Sequence, residues 1–181
     1  MLAPDTLVTC VGRHISFHAL DAARTTFLEV VEAGVLETTA VTIASSGKYA
    51  GLLQRTTAAG DAPGPDQVAV YSVKAGKLTR AIGAPTPGAV ALDLAFSEGL
   101  CKNLAVAWGG SEPHVALYRW YSGKLLGTLA VAGVLRVAVD PSSGTRLIAA
   151  TQTAALRLEL DEQTGAIAKR SLYEQSKVCV R

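Results

Sequence analysis

A strand pattern that repeats three times along the chain constrains the fold more than any other feature of the sequence. Each copy opens with an apolar, β-branched run and passes through a Ser-, Pro- or Gly-containing turn into further apolar runs. Each copy then reaches a second Gly-containing turn, marked by Gly76, Gly123 and Gly165, before its last run. Extended runs separated by chain reversals predict one four-stranded antiparallel sheet in each copy.

The spacing of the copies predicts how the sheets assemble. The turn glycines are about 47 and about 42 residues apart, close to the period of roughly 40–45 residues for the four-stranded blades of a β-propeller. The first interval is longer because residues 56–66 carry a Gly-, Pro- and Ala-rich insertion. No segment shows the i, i+3, i+4 apolar spacing of a convincing amphipathic helix. The sequence therefore predicts an all-β propeller of about four blades, each with four antiparallel strands.

The whole chain is interpreted as a single β-propeller region over residues 1–181. The predicted units are a partial blade over 1–31, blades over 38–82, 89–131 and 134–171, and the start of a further strand over 172–181. Three strands are predicted within the partial blade, with turns at Gly12 and Asp21. The further strand is predicted at residues 176–180.

One stretch of the repeat resembles a known family. Residues 117–126, Leu-Tyr-Arg-Trp-Tyr-Ser-Gly-Lys-Leu-Leu, resemble the third-strand, turn and fourth-strand signature of WD repeats, with Trp120 and Tyr121 where Trp-Asp is usual. Residues 94–126, with Gly109 and Gly110 at their centre, are similar to the N-terminal propeller of the large cilia- and flagella-associated WD-repeat proteins. This resemblance implies a degenerate WD40-like β-propeller, of which the chain is an N-terminal portion.

The chain departs from well-formed WD repeats. No Gly-His dipeptide opens a unit and no Trp-Asp closes one, so the buried polar tetrad of such repeats is not expected. Propellers of the resembling family have about seven blades, whereas this chain supplies about four. Two architectures stay open: a partial propeller, which the resemblance favours, and a small closed four-bladed ring in which the C-terminal strand completes the first blade.

The resemblance also implies a function. It implies a non-catalytic protein-interaction scaffold within a ciliary or flagellar axonemal assembly, with axonemal or cytoskeletal complex subunits as partners. The implied location is cytoplasmic, in the axoneme of a cilium or flagellum. The alternative is a propeller-based enzyme or ligand sensor, which would need acids or histidines that converge on the central channel. No such set is visible in the sequence, so the scaffold is favoured and no enzyme is predicted.

Composition argues against two classes of partner. The chain has 17 Lys and Arg against 15 Asp and Glu, and its basic residues are scattered singly, so no nucleic acid is expected. No run approaches the roughly 18 apolar residues of a spanning helix, so no membrane is expected. Cys10, Cys101 and Cys179 are odd in number and widely spaced, which predicts reduced thiols in a cytosolic compartment.

Few residues suggest a chemical site. Cys10, His14 and His18 have a metal-like spacing, but two strand histidines four residues apart lie about 13 Å from each other, too far for one zinc ion. Asp93 interrupts an apolar strand, where it is either a functional buried acid or, more commonly, a residue that faces a turn or the outer side of the pleat. The sequence therefore predicts no catalytic, cofactor-binding or metal-binding residue, and no cofactor.

The aromatic residues of the repeat have two interpretations. Trp108, Tyr118, Trp120 and Tyr121 form the only aromatic cluster of the sequence. Packing between adjacent blades is favoured. The alternative is an exposed patch that binds a partner, because Trp and Tyr are frequent interface anchors.

Overall fold

The described part of the chain consists of β-strands, turns and connecting segments, with no helix. A computed structural model describes residues 5–21, 24–30, 32–57, 64–98 and 102–174. Within these ranges no helix is long and apolar enough to cross a membrane. The all-β class predicted from the sequence is confirmed.

Fifteen strands follow one another along the described ranges. They are β1 (Thr6–Val11), β2 (His14–Ala19), β3 (Arg24–Glu29), β4 (Val35–Ile43), β5 (Tyr49–Thr56), β6 (Gln67–Ser72), β7 (Lys77–Gly83), β8 (Val90–Phe96), β9 (Asn103–Gly109), β10 (His114–Arg119), β11 (Lys124–Ala130), β12 (Val134–Val139), β13 (Arg146–Thr151), β14 (Ala154–Leu160) and β15 (Ile167–Glu174).

The strands form four separate antiparallel sheets in chain order. The first sheet contains β1 to β3, the second β4 to β7, the third β8 to β11 and the fourth β12 to β15. Every strand pairs with its sequence neighbour, so each sheet is a simple meander. The chain leaves a sheet from one edge strand (β3, β7 or β11) and enters the next sheet at β4, β8 or β12. These last three are called the inner strands, because β4, β8 and β12 contact the neighbouring sheets.

The core lies between consecutive sheets. Strand β9 is buried along its whole length, because the third sheet is covered on both faces. One hydrophobic cluster fills each of the three interfaces between neighbouring sheets. Representative members are Ile15, Leu28 and Leu52 between the first and second sheets, Val70, Phe96 and Trp108 between the second and third, and Leu117, Leu147 and Leu158 between the third and fourth.

The four sheets form an open arc. Among the described residues, no hydrophobic cluster joins the first sheet to the fourth. The outer face of the fourth sheet carries ion pairs from Glu159 to Arg146 and Arg157. Arg157, opposite Ile148, occupies the strand position at which the third sheet has the buried Leu117, opposite Ala105. Of the two architectures left open by the sequence, the arrangement fits a partial propeller.

The predicted unit boundaries differ from the strand bounds by a few residues. The second sheet begins at Val35 rather than at residue 38. Residues 172–174, predicted as the start of a further strand, lie in β15 instead, because its pairing with β14 extends to Glu174 opposite Ala154. The strand predicted at residues 176–180 lies outside the described residues.

The repeated turn glycines have a packing role. Gly76, Gly123 and Gly165 all adopt positive φ, between 62° and 73°, which glycine reaches without strain. Each one also abuts the preceding sheet. A Cβ added at Gly165 would lie 3.0 Å from the backbone oxygen of Leu126, and one added at Gly123 would lie 3.7 Å from the side chain of Arg80. The repeat seen in the sequence therefore marks the places where consecutive sheets approach closely.

Candidate functional site

The first two connections between sheets position the candidate site, and the third closes with the same turn, from the amide of Val134 to the oxygen of Val131. The described residues 30 and 32–35 belong to the connection from the first sheet to the second, and residues 84–89 to that from the second to the third. In each, a backbone turn closes just before the inner strand, from the amide of Val35 to the oxygen of Glu32 and from the amide of Ala89 to the oxygen of Thr86. Glu32 and Thr86 therefore occupy equivalent positions at the end of the arc where the inner strands begin, here called the upper face.

The second sheet contains a buried chain of polar side chains at this end. Gln67 Nε2 donates to Gln54 Oε1 at 2.9 Å, and Gln54 Nε2 donates to the Tyr71 hydroxyl at 3.5 Å. The Tyr71 hydroxyl in turn donates to Glu32 Oε2. Burial, together with the Glu32 carboxylate, raises the pKa of Tyr71 far above its usual value. These hydrogen bonds link the second sheet to the segment that leads into it. No WD-repeat motif would identify the residues that make them.

The third sheet has the same positions filled by different residues. Tyr118 is equivalent to Tyr71, because both stand just after the same irregularity in the pairing of their strands. Trp108 takes the place of Gln54, and His114 takes the place of Gln67, since each pair is directly opposed in register. Thr86, a much shorter side chain, takes the place of Glu32.

A cleft of about 520 Å³ opens beside Thr86, where the carboxylate of Glu32 has no counterpart. It lies between the outer strands of the third sheet and the turn that contains Thr86. Three cross-strand pairs of β10 and β11 form its floor: His114 with Ala130, Ala116 with Thr128, and Tyr118 with Leu125. The small alanines leave room between the larger side chains. The cleft is lined by Pro85, Thr86, Glu112, Pro113, His114, Ala116, Tyr118, Leu125, Thr128, Ala130 and Ala132.

The polar groups of this cleft are few. His114 is buried, and its Nδ1 donates to the backbone oxygen of Glu112 at 2.7 Å; a carbonyl oxygen only accepts, so Nδ1 carries the proton. Burial raises the pKa of Tyr118, and this effect outweighs the opposing effect of the Trp108 indole N–H. Trp108 Nε1 is buried without a hydrogen bond of ordinary geometry. Within the described ranges, no acceptor takes the Tyr118 hydroxyl proton.

Two further concave regions lie on the arc. One, of about 1040 Å³, is on the upper face between Leu36, Arg55, Asp66 and residues 84–90. The other, of about 430 Å³, is lined by the three inner strands and includes Asp93 and Glu98. In the first region Arg55 Nη1 pairs with Glu37 Oε1 at 2.8 Å, and Asp66 Oδ2 accepts from the Ala91 amide at 2.9 Å.

Asp93 has a structural environment. Its Oδ2 accepts a 2.8 Å hydrogen bond from the Val137 amide on the next inner strand, and its Oδ1 lies 3.6 Å from Arg136 Nη1. Its side chain is 18% exposed. The carboxylate is thus held between two sheets, an environment that differs from both sequence interpretations of this residue.

The structure separates the three residues with metal-like spacing. His14 and His18 lie on the outer face of the first sheet, where His14 Nε2 is 3.9 Å from Glu29 Oε1 and His18 Nδ1 is 3.0 Å from Thr25 Oγ1. Cys10 packs on the other face, against the core shared with the second sheet. The described residues contain no group of three or more His, Cys, Asp or Glu arranged to hold a metal ion. Cys101 and Cys179 lie outside them.

Most of the aromatic cluster is interior. Trp108, Tyr118 and Trp120 are buried between the second and third sheets. The Trp120 ring lies 4.7 Å from that of Tyr49 and meets Phe96 edge-on at 6.2 Å. Tyr121 is exposed and touches the edge of Trp120. Packing between adjacent sheets, the favoured interpretation, accounts for three of the four residues.

Comparison with known proteins supports the fold. No protein-family model and no curated protein sequence matches the chain. The β-propeller domain of Cps50 (Swd1) from Myceliophteria thermophila is similar at a TM-score of 0.59 and 13% identity, over 79% of this chain and 40% of that one. U3-55K is similar at a TM-score of 0.65 and 11% identity, over 93% of this chain and 50% of that one.

These similarities define the class of fold. The chain spans half or less of each of these structures. At such low identity they show the fold alone. The chain is a partial WD40-like β-propeller, as the sequence predicted, and its four sheets are blades.

Proposed function

We propose that this chain is a non-catalytic protein-interaction scaffold that binds a protein partner through the upper face of its arc. The observation that carries the proposal is a row of exposed apolar side chains at the start of the three inner strands. Leu36 is 53% exposed, Val90 40% and Leu135 43%. Apolar side chains grouped on one surface are typical of protein interfaces.

The concave regions of the upper face support the same surface. The clefts of about 520 and 1040 Å³ both open there, on either side of the connection that contains Pro85 and Thr86. Side chains that project from a partner fit such depressions and exclude water from the apolar row. A binding surface built from several blades is therefore available at one end of the arc.

The proposal includes no catalytic residue, cofactor, metal ion, nucleic acid or membrane. An enzyme or sensor of the kind considered above would use converging acids in the channel. In the channel, the Asp93 carboxylate already accepts a hydrogen bond from the Val137 amide and pairs with Arg136. Because these structural contacts occupy the carboxylate, the scaffold is favoured.

The partner class and the location are part of the proposal. Axonemal or cytoskeletal complex subunits, and a cytoplasmic location in the axoneme of a cilium or flagellum, are supported by the resemblance of residues 94–126 alone. A fluorescently tagged chain expressed in a ciliated cell is expected along the axoneme. A diffuse signal without axonemal enrichment would contradict this part.

The scaffold itself is tested by two matched sets of variants. Leu36, Val90 and Leu135 are each changed to Asp, which places charge in the apolar row without touching the core. Leu20, which directly follows β2, and Leu78, near the start of β7, are exposed at the opposite end of their sheets and are changed to Asp as the control. Quantitative affinity purification from the native cell should lose its specific partners with the first set and keep them with the control. Equal partner recovery with both sets would contradict the proposed surface.

A further inference from the structure

The cleft of the third blade differs from its equivalent in the second blade by one missing carboxylate. In the second blade, Glu32 reaches across from the connection and accepts the Tyr71 hydroxyl proton. In the third blade, the equivalent residue is Thr86, on a connection with the same turn. Threonine is too short to reach across in the same way, and the volume that the glutamate side chain would fill is open.

The unfilled position has a chemical consequence. Tyr118 lines the cleft, and among the described residues no protein group accepts its hydroxyl proton. An acceptor that enters the cleft can therefore take that proton. The second blade shows which acceptor suits a tyrosine in this setting, since there it is a carboxylate.

We propose that this cleft binds a small monocarboxylate with an apolar body, whose carboxylate accepts the hydrogen bond from Tyr118 that Glu32 accepts from Tyr71. The Thr86 hydroxyl, on the cleft wall, is available as a second donor. The proposal does not rest on the scaffold function, and either can fail without the other.

The lining of the cleft defines the rest of the ligand. Most of its residues are apolar or small, such as Ala116, Leu125 and Ala130, so the ligand body is apolar. The volume of about 520 Å³ lies in the usual range for small-molecule sites. Glu112 is the only lining residue with a full charge, and it is exposed. A second carboxylate on the ligand would lie in a cleft that already has one, which favours a monocarboxylate.

The experiment uses 3-phenylpropionate as the probe, titrated into the whole chain and followed by calorimetry and by NMR shifts. Saturable one-to-one binding is expected. The neutral analogue 3-phenylpropanamide should bind about tenfold or more weakly, since a hydrogen bond to a charged group exceeds one to a neutral group. Equal binding of the amide, or no saturable binding of the acid, would overturn the proposal.

Variants localise the site. Tyr118→Phe removes the donor but keeps the ring, and should weaken the probe by about tenfold or more. Thr86→Glu supplies the missing carboxylate from within the chain, so it should block the probe while its melting temperature stays at or above that of the unsubstituted chain. Tyr121→Phe, at an exposed tyrosine outside the cleft, should bind the probe as before.

The Thr86→Glu result separates the proposal from simple apolar adsorption. A variant that folds and still binds 3-phenylpropionate with unchanged affinity would show that the carboxylate does not take the position of Glu32, and would overturn the proposal. Loss of binding together with retained or raised stability would support it.

Discussion

Asp93 Oδ2 accepts a hydrogen bond of 2.8 Å from the backbone amide of Val137, and this contact joins two inner strands of neighbouring blades. The two strands have no ladder pairing with each other, because each belongs to its own sheet. Among the described residues, the interface between the third and fourth blades is mainly apolar, and this contact is one of its few polar connections. It gives Asp93 a role in holding the arc together.

Replacing Asp93 with Ala should lower the free energy of unfolding by roughly 1–3 kcal/mol, because the Val137 amide loses its acceptor. Asp93→Asn keeps a carbonyl acceptor and should lose less. Urea denaturation measures both. Glu98→Ala, at an exposed acid that lines the same channel, is the control and should change stability by less than about 0.5 kcal/mol. Equal stability of the Asp93→Ala variant and the unsubstituted chain would contradict this role.

Tyr71→Phe should destabilise the second blade by roughly 1–3 kcal/mol, because Glu32 and Gln54 both lose their partner in a buried site. The phenylalanine ring fills the same space, so the loss reports the polar chain rather than packing. Thermal or urea unfolding measures it. Tyr121→Phe, at an exposed hydroxyl, should be near neutral, and a comparable loss in both variants would argue against the polar chain.

Alkaline pH should destabilise the fold through Tyr71 and Tyr118. Burial is the main cause that raises the pKa of both hydroxyls above the usual 10.0. Below pH 10 the folded and the unfolded protein both hold these protons, so stability is unaffected. Above it, the unfolded chain loses them first and stability falls, by up to about 1.4 kcal/mol per pH unit for each group.

Melting temperatures measured from neutral to strongly alkaline pH test this dependence. The decline should begin near pH 10 and be shallower in Tyr71→Phe, which has one such group fewer. An identical decline in this variant and the unsubstituted chain would show that Tyr71 ionises equally well in the folded state.

Gly127→Ala should be strongly destabilising. A Cβ there would lie 2.5 Å from Leu160 Cδ1 and 2.6 Å from the backbone oxygen of Gly165, on the neighbouring blade. Overpacking of this kind costs roughly 1–3 kcal/mol or more. Gly83→Ala is the matched control, because an added Cβ at Gly83 meets nothing within 4 Å. Chemical denaturation should show a loss for the first and none for the second; equal stability would contradict the close approach.

The repeat was readable from the sequence because it depends on local patterns. The alternation of apolar residues defines the strands, and Gly76, Gly123 and Gly165 mark positive-φ turns that few other residues adopt. A second series, Gly34, Gly88 and Gly133, precedes the inner strands with positive φ. These glycines are a turn signal that the prediction above does not use, although each stands just before an apolar run.

The cleft and the polar chain could not be predicted in the same way. Glu32 and Tyr71 are 39 residues apart, and neither belongs to a WD-repeat motif. Their relation to Thr86 and Tyr118 becomes visible only when strand register and the two connections are superposed. Asp93 stands out in the sequence as an acid in an apolar strand. Its partner, however, is the backbone amide of Val137, and a pattern of side chains cannot identify a backbone partner.

The open arc is the central claim, and a distance between its two end blades tests it directly. Spin labels are placed at Phe27 and Ile148, both exposed on the outer faces of the first and fourth blades, after the native cysteines are changed to serine. In a closed four-bladed ring these faces would pack about 10 Å apart. Electron paramagnetic resonance on dilute protein should instead give a distance of more than about twice that spacing. A short distance with strong dipolar broadening would contradict the open arc.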